Sequence, residues 1–313
     1  MDVGSNRISI IGAGAVGSSI AFAAMLRGLA NRIVLQDKQA HKAQAEAKDL
    51  AQGRMFAAPV EVVSGDLDAC AGSRVIVVTA GAKQKPGESR LELAGRNAAI
   101  FRELIPALDA VALDALLLIV SNPVDVLTHL AHQLTNRPAG RVFGSGTVLD
   151  TSRFRHLIAG HINVAVANVH AYIVGEHGDS EVPVWSTAHV GNVPLRDWRS
   201  ADGKRMTDAD RETIAEQVRG AAGEIIAAKG ATNWAVALAV VRILVALLRD
   251  ENAILTVSRP LDDYQGIRDV SLAVPSIVSA KGVEAALPLD YDDHERAALI
   301  ASADVVRRAT ASV

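Results

Sequence analysis

Three glycines near the start of the chain have the spacing G-x-G-x-x-G, at Gly12, Gly14 and Gly17. An apolar run precedes them, and an alanine-rich stretch with helical character follows. In such a unit the first glycine permits a tight turn, the second leaves room for a pyrophosphate, and the third lets the helix lie close to the sheet. N–H groups at the helix start can then bind phosphate oxygens. The spacing therefore predicts a site for a dinucleotide.

Asp37 favours one class of dinucleotide. It follows a second apolar segment, at 33–35, and lies twenty residues after Gly17, where a carboxylate accepts hydrogen bonds from ribose hydroxyls. The same carboxylate would repel the 2′-phosphate of NADP, so the predicted cofactor is NAD. The alternative is that the glycines form only a strand–helix turn and that Asp37 is a turn residue. The order strand, helix, strand and carboxylate favours the binding site.

His177 lies in a polar turn, GEHGDS, that follows an apolar segment. Taken alone, a histidine in such a place is most often a core or surface residue. Three further strings with polar and charged side chains accompany it, QKPGESR at 84–90, SNPVD at 121–125 and LDTSR at 149–153. Their joint occurrence is much more specific than the glycine spacing alone.

These strings, in this order, resemble the lactate/malate dehydrogenase family, and the resemblance runs from Arg7 to about Pro275. The resemblance implies an enzyme that transfers a hydride between NAD and a small 2-hydroxy acid. Within the family, the string at 84–90 is most similar to L-lactate dehydrogenases. Homotetramers are the assembly that the resemblance implies.

The resemblance also implies a role for each charged residue of the strings. His177 would be the general acid and base that exchanges a proton with the substrate oxygen. Asp150 would bind the other ring nitrogen and so set the tautomer. Arg153 would bind the substrate carboxylate through a planar two-point contact. Arg90 would polarise the substrate carbonyl when its loop closes.

Three uncharged residues complete the implied substrate site. Asn122 would hydrogen-bond the substrate carbonyl oxygen, and Thr232 would line the pocket. Gln84 decides the substrate, because malate dehydrogenases resemble this chain but have an arginine there. A neutral glutamine would leave the second carboxylate of oxaloacetate unpaired in a closed site, which is costly. We therefore predict pyruvate and L-lactate. The alternatives are a malate or broader 2-hydroxyacid dehydrogenase and, in another class, a catalytically silent NAD-binding sensor.

The remaining cofactor contacts are expected at the carboxyl ends of parallel strands, where open α/β sheets bind their ligands. Polar or glycine residues end two apolar segments near 79–81 and 121–122, so they should share one crevice with the glycine loop. The full set of expected cofactor residues is Gly12, Gly14, Val16, Gly17, Asp37, Lys42, Thr79, Ala80, Gly81, Ala82, Val120, Asn122 and Ser145. Lys42 is included by resemblance to the family, and the alternative is that it is a solvated surface residue.

Arg155 and His170 suggest regulation. By resemblance they match positions at which allosteric bacterial members of the family hold fructose 1,6-bisphosphate at a subunit interface. An arginine and a protonated histidine would pair with its phosphates. The alternative is that they are an unrelated surface arginine and strand histidine.

Hydrophobic periodicity predicts the elements that carry these residues. The first half reads as a doubly wound parallel sheet of the Rossmann type, over 1–145, and the second as a mixed α+β catalytic domain, over 146–313. The segments predicted as strands are 8–11, 33–35, 60–63, 75–78, 116–120, 142–143, 168–174, 253–258 and 267–274. The segments predicted as helices are 39–54, 92–110, 208–229, 232–249 and 292–309.

Composition excludes several classes of function. The chain has 313 residues, 50% of them hydrophobic and 21% charged, and a net charge of −3, which does not favour nucleic acid or an anionic membrane. The most apolar stretch, 234–248, is too short to span a bilayer and is predicted to be a buried helix. The single cysteine, Cys70, has no partner for a disulfide or a metal site. We expect a cytoplasmic enzyme without a metal.

Overall fold

A computed structural model describes residues 6–82, 90–200 and 203–313. The strands are β1 Arg7–Ile11, β2 Arg32–Gln36, β3 Glu61–Ser64, β4 Val75–Val78, β5 Leu116–Ile119, β6 Val142–Gly144, β7 Val169–Val174, β8 Val182–Val190, β9 Val193–Pro194, β10 Ala253–Leu261, β11 Val270–Ser279 and β12 Gly282–Ala286. The helices are α1 Ala15–Leu26, α2 Ala40–Gln52, α3 Arg90–Ala112, α4 Val124–Leu134, α5 Val148–Ile162, α6 Asp208–Lys229, α7 Trp234–Leu248 and α8 Asp293–Ala311.

The main sheet has the order β12-β11-β10-β6-β5-β4-β1-β2-β3. From β3 to β6 every neighbouring pair is parallel, and the strand order reverses direction at β1 and β4. The predicted doubly wound parallel sheet is thereby confirmed. It continues into the second half of the chain, because β10 pairs antiparallel with β6 through Ser258 and Gly144. The sheet is therefore mixed and crosses the predicted boundary at 145.

Complete burial of the central strands explains their unbroken apolar sequence. Along β4, Val75 and Val77 pack into the hydrophobic cluster that contains residues of α1 and α7. Ile76 and Val78 pack into the cluster on the opposite face, with residues of α3 and α4. Successive side chains of a strand point to opposite faces, so a strand covered by helices on both faces is apolar throughout.

A small antiparallel sheet, β7-β8-β9, forms the scaffold of the second half. Its side chains pack against α5 and α6 in a separate cluster, in which the rings of Phe154 and Trp185 lie 4.6 Å apart, edge to face. The hydroxyl of Thr147, just before α5, donates to the carbonyl of Ile173 on β7, and the hydroxyl of Thr151 on α5 accepts the N–H of Ile173. This contact fixes the start of α5 against the end of β7.

Helix α7 differs from its prediction as a buried helix. Val240, Val241 and Leu244 are fully buried and pack against the same side of the sheet as α1. Trp234 and Leu238, however, are 61% and 54% exposed. Because every residue of the helix except Arg242 is apolar, hydrophobic periodicity did not identify the face that contacts the sheet. Helices α4 and α5 and strands β8, β9 and β12 are absent from the sequence-based expectations.

Candidate active site

His177 and Asp150 form the closest polar pair of the site. The ring atom Nδ1 of His177 lies 2.5 Å from Oδ2 of Asp150. Asp150 occupies the first turn of α5 and is 2% exposed, whereas His177 lies in the turn that follows β7. The contact between α5 and β7 described above brings the two residues together. An imidazole held at Nδ1 presents Nε2 for proton exchange.

Arg153 binds the other oxygen of the same carboxylate. Its Nη1 donates to Oδ1 of Asp150 at 2.9 Å, one turn further along α5. The guanidinium has five N–H donors, so this bond leaves donors for an anion. The sequence-based expectation placed Arg153 on the substrate carboxylate, and the structure adds its bond to Asp150.

The charges of this cluster act strongly on one another. Asp150 raises the pKa of His177 to about 9, against the opposing effect of burial. Burial acts to raise the pKa of Asp150, but His177 and Arg153 outweigh it and lower that pKa. Glu181 lies in the same turn, and burial together with the charge of Asp150 raises its pKa to about 8. Because Asp150 raises its pKa in this way, His177 holds its proton at neutral pH.

Asp125 supports the turn that carries His177. Its Oδ2 accepts the backbone N–H of His177 at 2.7 Å, and its Oδ1 accepts the hydroxyl of Ser258 at 2.6 Å. Burial raises the pKa of Asp125 to about 6, in opposition to these two hydrogen bonds. Neither Asp125 nor Glu181 was predicted as a site residue, although Asp125 ends the string SNPVD and Glu181 directly follows GEHGDS.

The glycine loop lies at the carboxyl end of β1. Gly12 has φ +104°, and a Cβ there would lie 2.7 Å from Oγ1 of Thr79. A Cβ on Gly17 would lie 1.9 Å from the carbonyl oxygen of Gly12, so α1 approaches the loop closely. A Cβ on Gly14 would meet no atom within 4 Å. Gly14 is the N-cap of α1, without a capping side chain.

Asp37 faces this loop from the end of β2. Its Oδ2 accepts the backbone N–H of Ala13 at 2.8 Å, and its Oδ1 accepts that of Gln39 at 2.9 Å. Each carboxylate oxygen has two acceptor positions, so both retain one for a ribose hydroxyl. The loop backbone therefore fixes the orientation of Asp37.

The ends of β4 and β5 form the neighbouring wall of the crevice. The hydroxyl of Thr79 donates to the carbonyl of Gly12 at 2.9 Å, and that of Ser121 donates to the carbonyl of Ala80 at 2.6 Å. Asn97 on α3 joins the two segments, since it accepts from the N–H of Ala82 and donates to the carbonyl of Asn122, both at 2.7 Å. Nothing in the sequence pattern singled out Asn97.

The other residues expected in the cofactor and substrate sites lie on or beside several different elements. Val16 lies on α1 and Lys42 on α2, Gly81 precedes Ala82, Val120 follows β5, Ser145 follows β6, and Thr232 lies just before α7. Gln84 lies outside the described residues, and Arg90 is the first residue of α3. The described geometry therefore brings together His177, Asp150 and Arg153, but it does not place Gln84 or the side chain of Arg90.

Arg155 lines an apolar groove between α5 and α7, and His170 lies on β7, which also contributes residues to that groove. Nε of Arg155 donates to the carbonyl of Ala171 at 2.8 Å, and its guanidinium lies 5.1 Å from the centre of the Tyr172 ring. His170 is exposed on β7, opposite His189 of β8. The structure thus gives Arg155 partners within the chain.

The described ranges contain neither a metal-binding cluster nor a membrane-spanning helix. In 6–82, 90–200 and 203–313, no group of three or more His, Cys, Asp or Glu side chains is arranged to hold a metal ion. None of the helices in the same part of the chain combines the length and apolar character needed to cross a membrane.

Two family models match the chain, one in each half. Residues 6–144 match the lactate/malate dehydrogenase NAD binding domain, and residues 147–312 match the lactate/malate dehydrogenase alpha/beta C-terminal domain. Together the two models cover nearly the whole chain.

Individual relatives match over the same length. The L-lactate dehydrogenase of Bifidobacterium animalis subsp. lactis is 46% identical over 307 residues, which cover 97% of this chain and 96% of the relative. L-lactate dehydrogenase 1 of Clostridium acetobutylicum is 46% identical over 309 residues, which cover 99% of each chain.

A solved structure has the same fold throughout. The minor L-lactate dehydrogenase of Enterococcus mundtii, determined in a ligands-bound form, superposes with a TM-score of 0.95 at 40% identity. The match covers 99% of this chain and 98% of that one.

Proposed function

The chain belongs to the lactate/malate dehydrogenase family, and from this premise we propose that it is an NAD-dependent L-lactate dehydrogenase. The observation that carries the proposal is the contact of 2.5 Å between His177 and Asp150, with Arg153 bonded to the same carboxylate. An acid–base residue thereby lies beside a cation that can bind a substrate carboxylate. The L-lactate dehydrogenases among its relatives match over almost their whole length.

His177 performs the proton transfer. When bound, NADH supplies the hydride that reduces C2 of pyruvate. The protonated imidazole donates its Nε2 proton to the keto oxygen, which becomes the hydroxyl of L-lactate. Asp150 holds Nδ1 and stabilises the imidazolium. In the reverse direction the neutral imidazole takes the proton back.

The substrate carboxylate binds Arg153, which retains free N–H donors beyond its bond to Asp150. Asn122 and Arg90 act on the carbonyl oxygen, and Thr232 lines the pocket, in the roles that the family resemblance implies. Arg90 begins α3, directly after the undescribed segment that includes Gln84.

The crevice fits an NAD molecule. Gly14 provides space where a side chain would otherwise stand, and α1 begins there without an acidic residue in its first turn, so the helix dipole favours pyrophosphate. Asp37, oriented by the N–H of Ala13, would accept the ribose hydroxyls. Its charge opposes a 2′-phosphate, which favours NAD over NADP.

We propose pyruvate rather than oxaloacetate as the oxidised substrate because position 84 is glutamine. The decisive measurement is NADH oxidation by the purified protein with each 2-oxo acid. A larger kcat/KM for pyruvate is expected. A kcat/KM for oxaloacetate equal to or above that for pyruvate would identify the alternative, a malate or broader 2-hydroxyacid dehydrogenase.

Replacement of the acid–base residue separates the enzyme from a silent NAD-binding sensor. His177→Ala should lower turnover by about 10²–10⁴-fold, while NADH binding, followed by its fluorescence, persists. A wild-type protein that binds NADH but turns over neither pyruvate nor oxaloacetate would favour the sensor or another 2-oxo acid.

The assembly and its regulation are also proposals. Val166, Leu238 and Ile254 are exposed apolar residues, and all three line a groove of about 410 Å³ beside Arg155. Such a patch suits contact with a second subunit, in line with the proposed homotetramer. Fructose 1,6-bisphosphate would bind Arg155 and His170 across such a contact.

The effector is tested with the same assay. Saturating fructose 1,6-bisphosphate should lower the KM for pyruvate and promote subunit association, and Arg155→Gln should remove both effects. No change in either quantity with the effector would exclude it. The cytoplasmic location stays a prediction from the sequence.

A further inference from the structure

Asp125 is a buried carboxylate to which the proposed reaction assigns no role. It lies in the first turn of α4 and is 2% exposed. It accepts the backbone N–H of His177 at 2.7 Å and the hydroxyl of Ser258, on β10, at 2.6 Å. One side chain therefore joins a helix of the first half of the chain, the turn after β7 and a strand of the second half.

A buried carboxylate at position 125 is energetically unfavourable. Transfer of a charge to a buried position costs free energy that its partners must offset, and burial raises the pKa of Asp125 accordingly, to about 6. An asparagine could accept from His177 without that cost. The negative charge therefore calls for a reason beyond the hydrogen bonds.

The position of the charge supplies such a reason. Asp150 binds the ring of His177 and thereby sets the tautomer of the imidazole. Asp125 binds the backbone N–H of His177 and thereby fixes the position of the main chain that carries the ring. His177 thus lies between two carboxylates on different helices. Both favour the imidazolium, which is the form that donates a proton to a keto oxygen.

On the basis of the proposed dehydrogenase function, we propose that Asp125 is a positioning residue for the acid–base step. It holds the His177 backbone in place, and its negative charge stabilises the protonated imidazole. Through Ser258 it also links that backbone to β10, so the position of the proton donor depends on the contact between the two halves of the chain.

Other charged groups around His177 must be considered in any test. Asp150 faces it from α5, with Arg153 bonded to Asp150, and Glu181 acts on it from the same turn. Arg219 of α6 lies near Glu181. Glu176 lies near Asp125. None of these residues changes in the variants below, so their contributions are common to all samples.

Asp125→Asn isolates the charge. The amide oxygen accepts from His177, and the NH₂ group donates to the Ser258 hydroxyl, which can rotate to accept. The pKa of His177 is measured in the protein without NAD, from the pH dependence of its modification by diethyl pyrocarbonate, which attacks neutral imidazole. His177→Asn identifies the signal among the nine histidines. We expect the pKa to fall by about 0.5–1 unit.

Asp125→Ala and Ser258→Ala test the positioning. The alanine at 125 leaves the His177 N–H without its acceptor, and kcat/KM for pyruvate should fall by about 10–100-fold. Ser258→Ala should have a smaller effect in the same direction. At pH values below the lowered pKa of His177, Asp125→Asn should retain most of the kcat/KM that Asp125→Ala loses. NADH affinity should stay unchanged throughout, because Asp125 does not contact the glycine loop.

Thr128→Val is the matched control. Thr128 lies one turn further along α4, is equally buried, and its hydroxyl has no partner among the described residues. Its variant should leave the His177 pKa and kcat/KM unchanged. An unaltered His177 pKa in Asp125→Asn would overturn the proposal. Losses of kcat/KM that match only the fraction of unfolded protein in each variant would also overturn it. The modification assay needs no turnover, so a wild type inactive on pyruvate would overturn the proposed function separately.

Discussion

At the scale of single residues, one carboxylate, that of Asp150, holds both charged groups of the proposed acid–base chemistry. Asp150 accepts from His177 on one oxygen and from Arg153 on the other. Its negative charge therefore raises the proton affinity of the histidine and orients the arginine at the same time. Loss of this charge should weaken proton donation and substrate binding together.

In the proposed reaction, the pH dependence of both directions follows from the pKa of His177, which Asp150 raises to about 9. Pyruvate reduction needs the imidazolium, so kcat/KM for pyruvate should stay constant at neutral pH and fall as pH rises through about 9. Lactate oxidation needs the neutral ring, so its kcat/KM should rise over the same range. Initial rates between pH 6 and 10 provide the measurement.

Asp150→Asn is the companion variant. Without the carboxylate the midpoint of both profiles should move to lower pH by about 1–3 units. A midpoint that does not move would show that another group governs the profile.

Stability should also depend on pH through His177. The folded-state pKa of about 9 lies above the ordinary value of 6.5, so between these values the folded state binds a proton that the unfolded chain lacks. The stabilisation is complete below pH 6.5 and is lost as pH rises through 9, at most about 3 kcal/mol. Urea unfolding at fixed protein concentration, at pH 6.5 and 9.5, measures the loss.

His177→Asn should make this pH dependence shallower. The control is His41→Asn, an exposed histidine on α2, which should leave it unchanged. Glu181 acts in the same direction, since its pKa is raised to about 8, so part of the slope should remain. An identical slope in wild type and His177→Asn would contradict the prediction.

At the scale of elements, the junction of β1 and α1 separates two roles of glycine. Gly17→Ala would place a Cβ 1.9 Å from the carbonyl oxygen of Gly12, so α1 must shift, and we expect a loss of about 3 kcal/mol or more in unfolding free energy. Gly14→Ala meets no protein atom, and the extended backbone of Gly14, at φ −79° and ψ −177°, accepts alanine.

Gly14→Ala should therefore affect only the cofactor. We expect NADH to bind about 10–100-fold more weakly, with unfolding free energy changed by less than about 1 kcal/mol. Fluorescence titration and urea unfolding of both variants test the contrast. Full NADH affinity in Gly14→Ala would show that the pyrophosphate does not approach this position.

At the scale of the whole molecule, the two halves share one sheet and common hydrophobic clusters. Strand β10 extends the sheet beyond β6, and α7 packs beside α1, where Asn233 donates to Ser19 at 2.8 Å. His177, the proposed proton donor, and the cofactor crevice are therefore held in one rigid sheet structure, although different halves of the chain supply them.

The exposed apolar face of α7 tests the proposed assembly. Leu238→Glu places a charge in the groove beside Arg155, so it should shift the protein to smaller species in sedimentation velocity at micromolar concentration. Ile300→Glu, on α8 and 46% exposed, is the control and should not change the assembly. A wild type that sediments as a monomer would refute the homotetramer.

Much of the fold and of the site could be predicted from local patterns. The G-x-G-x-x-G spacing and the apolar strands predicted the parallel sheet, because a buried parallel strand is apolar on both faces. The strings around His177, Asp150 and Asn122 predicted the family, because several short motifs in one order rarely coincide. The glycine spacing, the apolar strands and the short motifs each involve residues close together in the chain, so the sequence alone reveals them.

The tertiary structure decided what depends on distant residues. Only the packing of α4 and β10 against the turn after β7 shows that Asp125 holds His177, and only the contact between α1 and α7 shows which face of α7 is buried. The continuation of the sheet past residue 145 depends on the pairing of Ser258 with Gly144. Burial and contact are properties of the folded chain, so neither composition nor periodicity determines them.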